Sequence, residues 1–487
     1  MTHLRQKSGL TPLFRKLFAV RDMTTGNPLG AMMRFSVPLL IGNIAQLMYS
    51  TVDSLVLGRY VSADALSAAG TSTPIQNLFF VFYMTVGSGV SIVVSQYFGA
   101  KDKENLSVAV GTSLVMALIA TLSITALGIP LSGVMLRAIK VHELGGELFS
   151  LSHSYLMIMF AGAVGVGFYN ILSGILRGMG DSVFPLMILL LTSVMNVALD
   201  LLFVVVFDLS VAGAAWATVI SQTASAVICL LKLLRMKNTV GISRRTLRPH
   251  KTMVRHILRI GLPSGVQQVV LSSSYVFVQR LINGIVVFDA AGNQLDKVFV
   301  AAATAFSRVD ALAMLPSQAF SLGGSTFAGQ NIGAHRLDRV KQGFRIITVA
   351  TMATSIVLFA AVYLFGGKLI GLFIKPDEPH FDEIVRWGVY IQRIMVWDYI
   401  IMAFLQPAGG VLRGAGDTLP VMFITVICTV LMRVPLAYVW VTNTKTAEFP
   451  GGGPAGIYWS MVICFAIAAG SCLIYYATGR WKRKAIV

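Results

Sequence analysis

Gly174-Ile-Leu-Arg-Gly-Met-Gly-Asp181 recurs in the second half of the chain as Gly410-Val-Leu-Arg-Gly-Ala-Gly-Asp417. Around this pair the chain repeats itself in order. Gln96, Gly99 and Ala100 return as Gln330, Gly333 and Ala334, and Gly213-x-x-Trp216 returns as Gly456-x-x-Trp459. Pro38, early in one apolar run, has a counterpart in Pro263, early in another. One such match is chance; four in register mean that the chain is a duplicated unit.

The unit is membrane-bound. The 487 residues have a mean hydropathy of +0.74 and 55% hydrophobic residues, and only 12% are charged. That is about half the charged share of a soluble domain, so lipid must serve as solvent. At about 20 apolar residues per crossing, twelve spans are expected. They cover 35–58, 66–97, 105–130, 149–175, 182–207 and 210–233, then 257–287, 298–328, 343–365, 384–411, 419–441 and 454–478. The fold class is therefore all-α, a polytopic membrane protein with two pseudo-symmetric lobes of six helices. An even number of spans per half gives both halves the same orientation, related by an axis along the membrane normal. Any substrate is then expected between them.

The net charge of +18 does not indicate nucleic acid, because the basic residues sit in short loops and tails. Twenty-seven Lys and Arg lie on the side of the termini and seven in the opposite loops. This bias predicts cytoplasmic termini in a bacterial inner membrane. The expected divisions are a cytoplasmic arm (1–33), a first lobe (34–233), a basic linker (234–256), a second lobe (257–478) and a basic tail (479–487). In the arm, Leu13, Phe14, Leu17 and Phe18 beside Arg15 and Lys16 suggest contact with the membrane interface. Cys229, Cys428, Cys464 and Cys472 lie in apolar runs without metal-ligand spacing. No phosphate-binding Gly-x-x-x-x-Gly-Lys-Ser/Thr loop, zinc-protease helix or nucleophile elbow occurs, so neither an ATP motor of that type nor an enzyme is expected.

Ionisable residues inside spans are functional candidates, since a charge in lipid costs several kcal/mol. Asp53 follows Arg34, at the termini-side edge of span 1, by about five helical turns, and Asp200 follows Ser182, at that edge of span 5, by the same distance. At 1.5 Å per residue both sit about 27–29 Å deep. Asn196 shares a helix face with Asp200, and Thr218 enters from span 6. These are all oxygen donors suited to a hard cation. Two adjacent carboxylates in a dry site repel one another. A proton or a Na⁺ ion would each relieve that repulsion, so the two would compete. Pro38 either opens a span or bends it by removing a backbone hydrogen bond. In the second half Arg433 stands in the place of Asn196. It is expected to pair with Asp398, with Asp310 also inside the membrane.

The repeated Leu-Arg-Gly-x-Gly-Asp segments, Gly329-Gln330-Asn331-x-Gly333-Ala334 and Tyr49-Ser-Thr-Val-Asp53 resemble the multidrug and toxic compound extrusion (MATE) family of antiporters. The resemblance covers roughly residues 28–480. The acids of the first half are similar to those of the branch typified by the DNA-damage-inducible transporters. Span 7 carries Gln267 and Gln268 and no carboxylate, unlike the NorM-like branch. The resemblance implies a cation site at Asp53, Asn196, Asp200 and Thr218, with Tyr155 and Asn170 in the same cavity. Pro38, Gln268, Asp310, Asp398 and Arg433 are the further candidates for the substrate cavity or coupling network. It also implies a monomer in lipid that exchanges small organic, cationic molecules for Na⁺ or H⁺ and needs no cofactor. The alternative is a lipid-linked oligosaccharide flippase, which would place arginines such as Arg280, Arg308, Arg393 and Arg433 in the cavity.

Overall fold

The computed structural model describes residues 20–143, 145–288, 294–295, 297–446, 449 and 452–486. The interfacial reading of residues 13–18 lies outside them. The first lobe contains α1 (Pro28–Tyr60), α2 (Ala63–Gly99), α3 (Lys103–Ala138), α4 (Gly146–Ala161), α5 (Ala163–Gly178), α6 (Val183–Asp200) and α7 (Ser210–Arg235). The second contains α8 (Lys251–Asn283), α9 (Val298–Gly333), α10 (Leu337–Gly371), α11 (Phe381–Gly414), α12 (Thr418–Val426), α13 (Arg433–Asn443) and α14 (Ala455–Thr478). A two-residue hairpin, β1 (Val287–Phe288) with β2 (Gln294–Leu295), follows α8.

Among the described residues, ten helical stretches are long and apolar enough to cross a membrane, and the bent pair α4–α5 makes eleven. The bend is 51° and falls at Gly162. The twelfth expected span is α8. It is 33 residues long but more polar, because it carries Arg255, His256, Arg259, Gln267, Gln268 and three consecutive serines. Outer faces are apolar: Val194, Val276 and Leu364 are each more than two-thirds exposed, as lipid contact requires. Two helices contain π segments. One, Leu201–Val206, continues α6 beyond Asp200. The other, Ile427–Met432, leads into α13 just before Pro435, whose missing N–H breaks the regular ladder.

α1 begins earlier than the hydropathy suggests. Asn27 caps it, its side chain accepting from the Leu29 N–H at 3.0 Å, and Pro28 occupies the first turn. Pro38 is therefore an interior proline that interrupts the helix ladder, and Pro263 is likewise interior to α8.

The repeated motifs build the ends of the two lobes. Gly180 and Gly416 occupy the left-handed region at φ +85° and +81°. Glycine adopts that conformation without strain. Each turn presents the following aspartate to the last span of its own half. Asp181 pairs with Lys232 of α7, and Asp417 accepts from the Tyr475 hydroxyl of α14 at 2.6 Å.

The lobes meet where α2 packs on α8, with Gly89 and Gly261 in the contact, and where α2 crosses α9 at the end that carries both termini. A Cβ on Gly99 would stand 1.9 Å from the Gln330 carbonyl oxygen, and one on Gly333 would stand 1.9 Å from that of Gln96. The two buried glutamines then bind across the junction. Gln96 Nε2 donates to the Gly414 carbonyl at 3.0 Å, and Gln330 Nε2 donates to that of Gly178 at 3.1 Å. Their side-chain oxygens accept from the chain ends: Gln96 from Ile486 N–H and Gln330 from Met23 N–H, both at 2.9 Å. Arg336 and Arg339 hold the carbonyls of residues 23–26 against the second lobe. These bonds between the lobes all lie at one end. Away from it the same helices and α8 expose Leu78, Phe82, Leu312 and Tyr275. The cleft between the lobes is thus shut beside the termini and open at the far end.

Gly333→Ala is expected to destabilise the protein by about 2 kcal/mol or more, because backbone must move to admit the methyl. At Gly70 nothing lies within 4 Å of an added methyl. Gly70→Ala is expected to be neutral or stabilising by up to about 1 kcal/mol. Thermal melting of the purified variants checks the contrast; equal effects would remove the crossing as the seal.

Candidate functional site

Helix periodicity assembles an acidic pocket inside the first lobe. On α1, Tyr49 and Asp53 are one turn apart, and so are Asn196 and Asp200 on α6. The Asp53 and Asp200 carboxyl groups come within hydrogen-bonding reach of one another. Tyr49 lies beside Asp53, and its hydroxyl is 3.2 Å from Thr218 Oγ1 of α7. Tyr155 of α4 reaches Gln76 of α2 and stands near both acids. Asn196 and Asp200 are fully buried, and Asp53 is half-buried.

The pocket has acceptors in excess. Both Asp200 oxygens, Asp53 Oδ1 and both ends of the Asn196 amide have no hydrogen-bond partner. The ion pairs among the described residues are Lys140–Glu143, Lys232–Asp181 and Arg386–Glu383, so no basic side chain neutralises either acid. Two acceptor-only carboxylates face each other, with the Tyr49 hydroxyl as a donor beside Asp53. A proton shared between them, or a small cation coordinated by their oxygens with the Asn196 carbonyl and nearby hydroxyls, satisfies the set.

Asn170 and Pro38 line a separate cavity of about 150 Å³, together with Asn43, Gln46, Arg177 and Gln222. Asn170 donates to the Val166 carbonyl at 2.9 Å, on its own helix. Periodicity could have found more of this polar interior than charge did. Tyr49 lies one turn before Asp53, Gln46 two turns before it, and Gln222 one turn after Thr218.

In the second lobe the structure corrects one expectation. Arg433 and Asp398 do not form an ion pair. The guanidinium instead lies 5.4 Å from the ring centroid of Tyr275. That contact partly compensates its charge. Asp398 is fully buried, with neither carboxyl oxygen partnered, and Asp310 is within reach of the Tyr399 hydroxyl. Gln268 is exposed less usefully than its neighbour: Gln267 turns inward, donating to Thr425 Oγ1 at 2.9 Å.

Two six-span lobes on a common axis, a cleft closed at one end and a carboxyl pair inside one lobe define a multi-pass membrane transporter. The MatE family model matches the chain twice, over residues 38–202 and 275–439, once in each half. The chain belongs to the MatE family. It is 28% identical over 464 residues to the probable multidrug resistance protein YpnP of Bacillus subtilis, covering 95% of this chain and 97% of that one. It is 25% identical to the probable multidrug resistance protein NorM of Thermotoga maritima, covering 94% of each. Its fold matches that of a MOP superfamily transporter from Pyrococcus furiosus with a TM-score of 0.84, at 24% identity over 94% of this chain and 97% of the other.

Asp398→Asn is expected to leave stability unchanged or improve it, since its carboxylate has no partner to lose. Arg433→Gln should cost about 1 kcal/mol through the Tyr275 contact. A tight buried pair would make each single change cost about 3–5 kcal/mol. Melting of the two purified variants decides between these.

Proposed function

We propose that the protein is an antiporter of the bacterial inner membrane that expels organic, chiefly cationic, drugs or toxins in exchange for Na⁺ or H⁺. The observation that carries this is the Asp53–Asp200 pair, which lacks a counter-charge and leaves both Asp200 oxygens and Asp53 Oδ1 without a donor. Similarity to probable multidrug resistance proteins supports export of drugs, and favours it over lipid flipping. The absence of a carboxylate from α8, with the acids gathered in the first lobe, supports the DNA-damage-inducible branch of the family. The excess of basic residues beside the termini supports a cytoplasmic location for that end, which makes the open end of the cleft face outward.

Coupling follows from α1. Its far end carries Asp53, and its near end carries Met32, Phe35 and Leu39. These pack on Phe320 and Phe327 of α9 in the other lobe. Pro38 lies between, where the backbone ladder is already interrupted. Binding of a cation at Asp53, Asn196, Asp200 and Thr218 removes the carboxylate repulsion and lets α1 and α6 draw together. A bend at Pro38 transmits that change to the lobe contact. The cation-bound form favours release of substrate outside, and loss of the cation on the inner side resets the cleft.

The test is substrate efflux from proteoliposomes under separately imposed pH and Na⁺ gradients. Asp53→Asn and Asp200→Asn are each expected to reduce gradient-driven efflux by at least about a hundredfold while the protein stays folded, the loss expected when a coupling charge is removed. Efflux at the unaltered rate in either variant overturns the assignment.

A further inference from the structure

The inner end of the cleft holds a positive charge without a counter-charge. Ser91 of α2 and Ser325 of α9 are repeat equivalents, at the same spacing along the chain as Gln96 and Gln330. Both line one cavity of about 230 Å³, together with Ser88, Gln318, Ser321 and Arg413. A cavity lined by equivalent residues of both halves straddles the axis between the lobes. Ser91 and Ser325 are only 8% and 7% exposed. The Gly99–Gly333 crossing lies about two turns further on, about 12 Å along the helix, and closes the end. The cavity is therefore the floor of the cleft.

Arg413 enters this floor from α11. Its Nη2 donates to Ser321 Oγ at 2.8 Å, and Ser321 in turn donates to the Gln406 carbonyl at 2.9 Å. None of the ion pairs among the described residues involves Arg413. Its repeat equivalent, Arg177, lines the first-lobe cavity with Pro38 and Asn170 instead. The pseudo-symmetry is broken, and the floor receives one guanidinium. Ser88 and Ser321 donate to the Thr85 and Gln406 carbonyls, which leaves the hydroxyls of Ser91 and Ser325 and the Gln318 amide as donors for an anion. The volume is below that of a site for a whole drug-sized molecule, so it suits one end of a substrate.

We infer that the floor of the cleft is an anion subsite, in which Arg413 with Ser91 and Gln318 holds the carboxylate of a zwitterionic substrate. The inference rests on the transport reading and narrows its substrate class to molecules that carry a carboxylate as well as a cationic group. Guanidinium–carboxylate recognition supplies both charge and geometry. Because α2, α9 and α11 all contribute, the bound carboxylate touches both lobes just above the seal.

The experiment compares a rhodamine dye bearing a free carboxylate with the methyl ester of the same dye, binding to the purified full-length protein in neutral detergent. The acid is expected to bind at least about tenfold more tightly than the ester, as one charge-assisted contact predicts. Arg413→Gln should bring the acid to the affinity of the ester and leave the ester unchanged; Arg413→Lys should keep part of the preference. Gln318→Leu leaves the Arg413–Ser321 bond intact. It should weaken the acid alone by a few-fold, which covers the case in which Arg413→Gln fails to fold. Equal loss of acid and ester in Arg413→Gln, or no preference for the acid in the unaltered protein, overturns the inference. So does displacement of the acid by phosphatidylglycerol that depends on Arg413, which would assign the subsite to a lipid headgroup. Efflux of the ester under a gradient should persist in Arg413→Gln and vanish in Asp53→Asn. A failure of the antiport reading is thereby separated from a failure of the subsite.

Discussion

Two backbones pass each other at Gly99 and Gly333 so closely that neither position admits a side chain. This crossing joins the lobes on the termini side, and the rest of the architecture hangs from it. The buried amides of Gln96 and Gln330 reach carbonyls in the opposite lobe and receive the two chain ends in exchange. Buried polar groups of this kind are costly to leave unpaired, so opening the seal requires another set of partners, which water at that surface can provide. The proposed cycle would exchange these bonds for bonds to water.

The first lobe adds a second, independent constraint. Asp53 and Asp200 sit inside it without basic partners, an arrangement that a purely structural role would not favour. The helix carrying Asp53 also reaches the opposite lobe through Phe35 and Leu39, so the charge state of the pocket and the lobe contact share one element. Helix α1 is interrupted at Pro38 between these two ends. In the proposed cycle the seal supplies the two-state element and the acid pair biases it.

Much of this was legible in the sequence because it is periodic. The spans follow from hydropathy, and the duplication follows from motifs that prove to be turn glycines, lobe-tying aspartates and the crossing itself. Asp53, Asn196, Asp200 and Thr218 could be placed by depth and helix face, which geometry along a single helix controls. What escaped was set by packing between helices. The partner of Arg433 was not deducible from charge alone, since an aromatic face at Tyr275 serves in place of Asp398. Asn170 belongs to the Pro38 cavity and Gln267 turns inward where Gln268 does not, because rotation of a helix about its axis is decided by its neighbours. The interior position of Pro38 depended on an Asn27 cap lying outside the apolar run.

The mechanism stands or falls on whether Asp53 and Asp200 share one small cation whose occupancy competes with substrate. The decisive measurement is ion release from purified protein in weakly buffered solution, read by a pH electrode and by radioactive Na⁺ retention as substrate is added. About one H⁺ or Na⁺ is expected to leave per substrate bound, and none when Asp200 is replaced by Asn. Substrate binding with no release of either ion, or release that is unchanged in the Asp200→Asn protein, would contradict it.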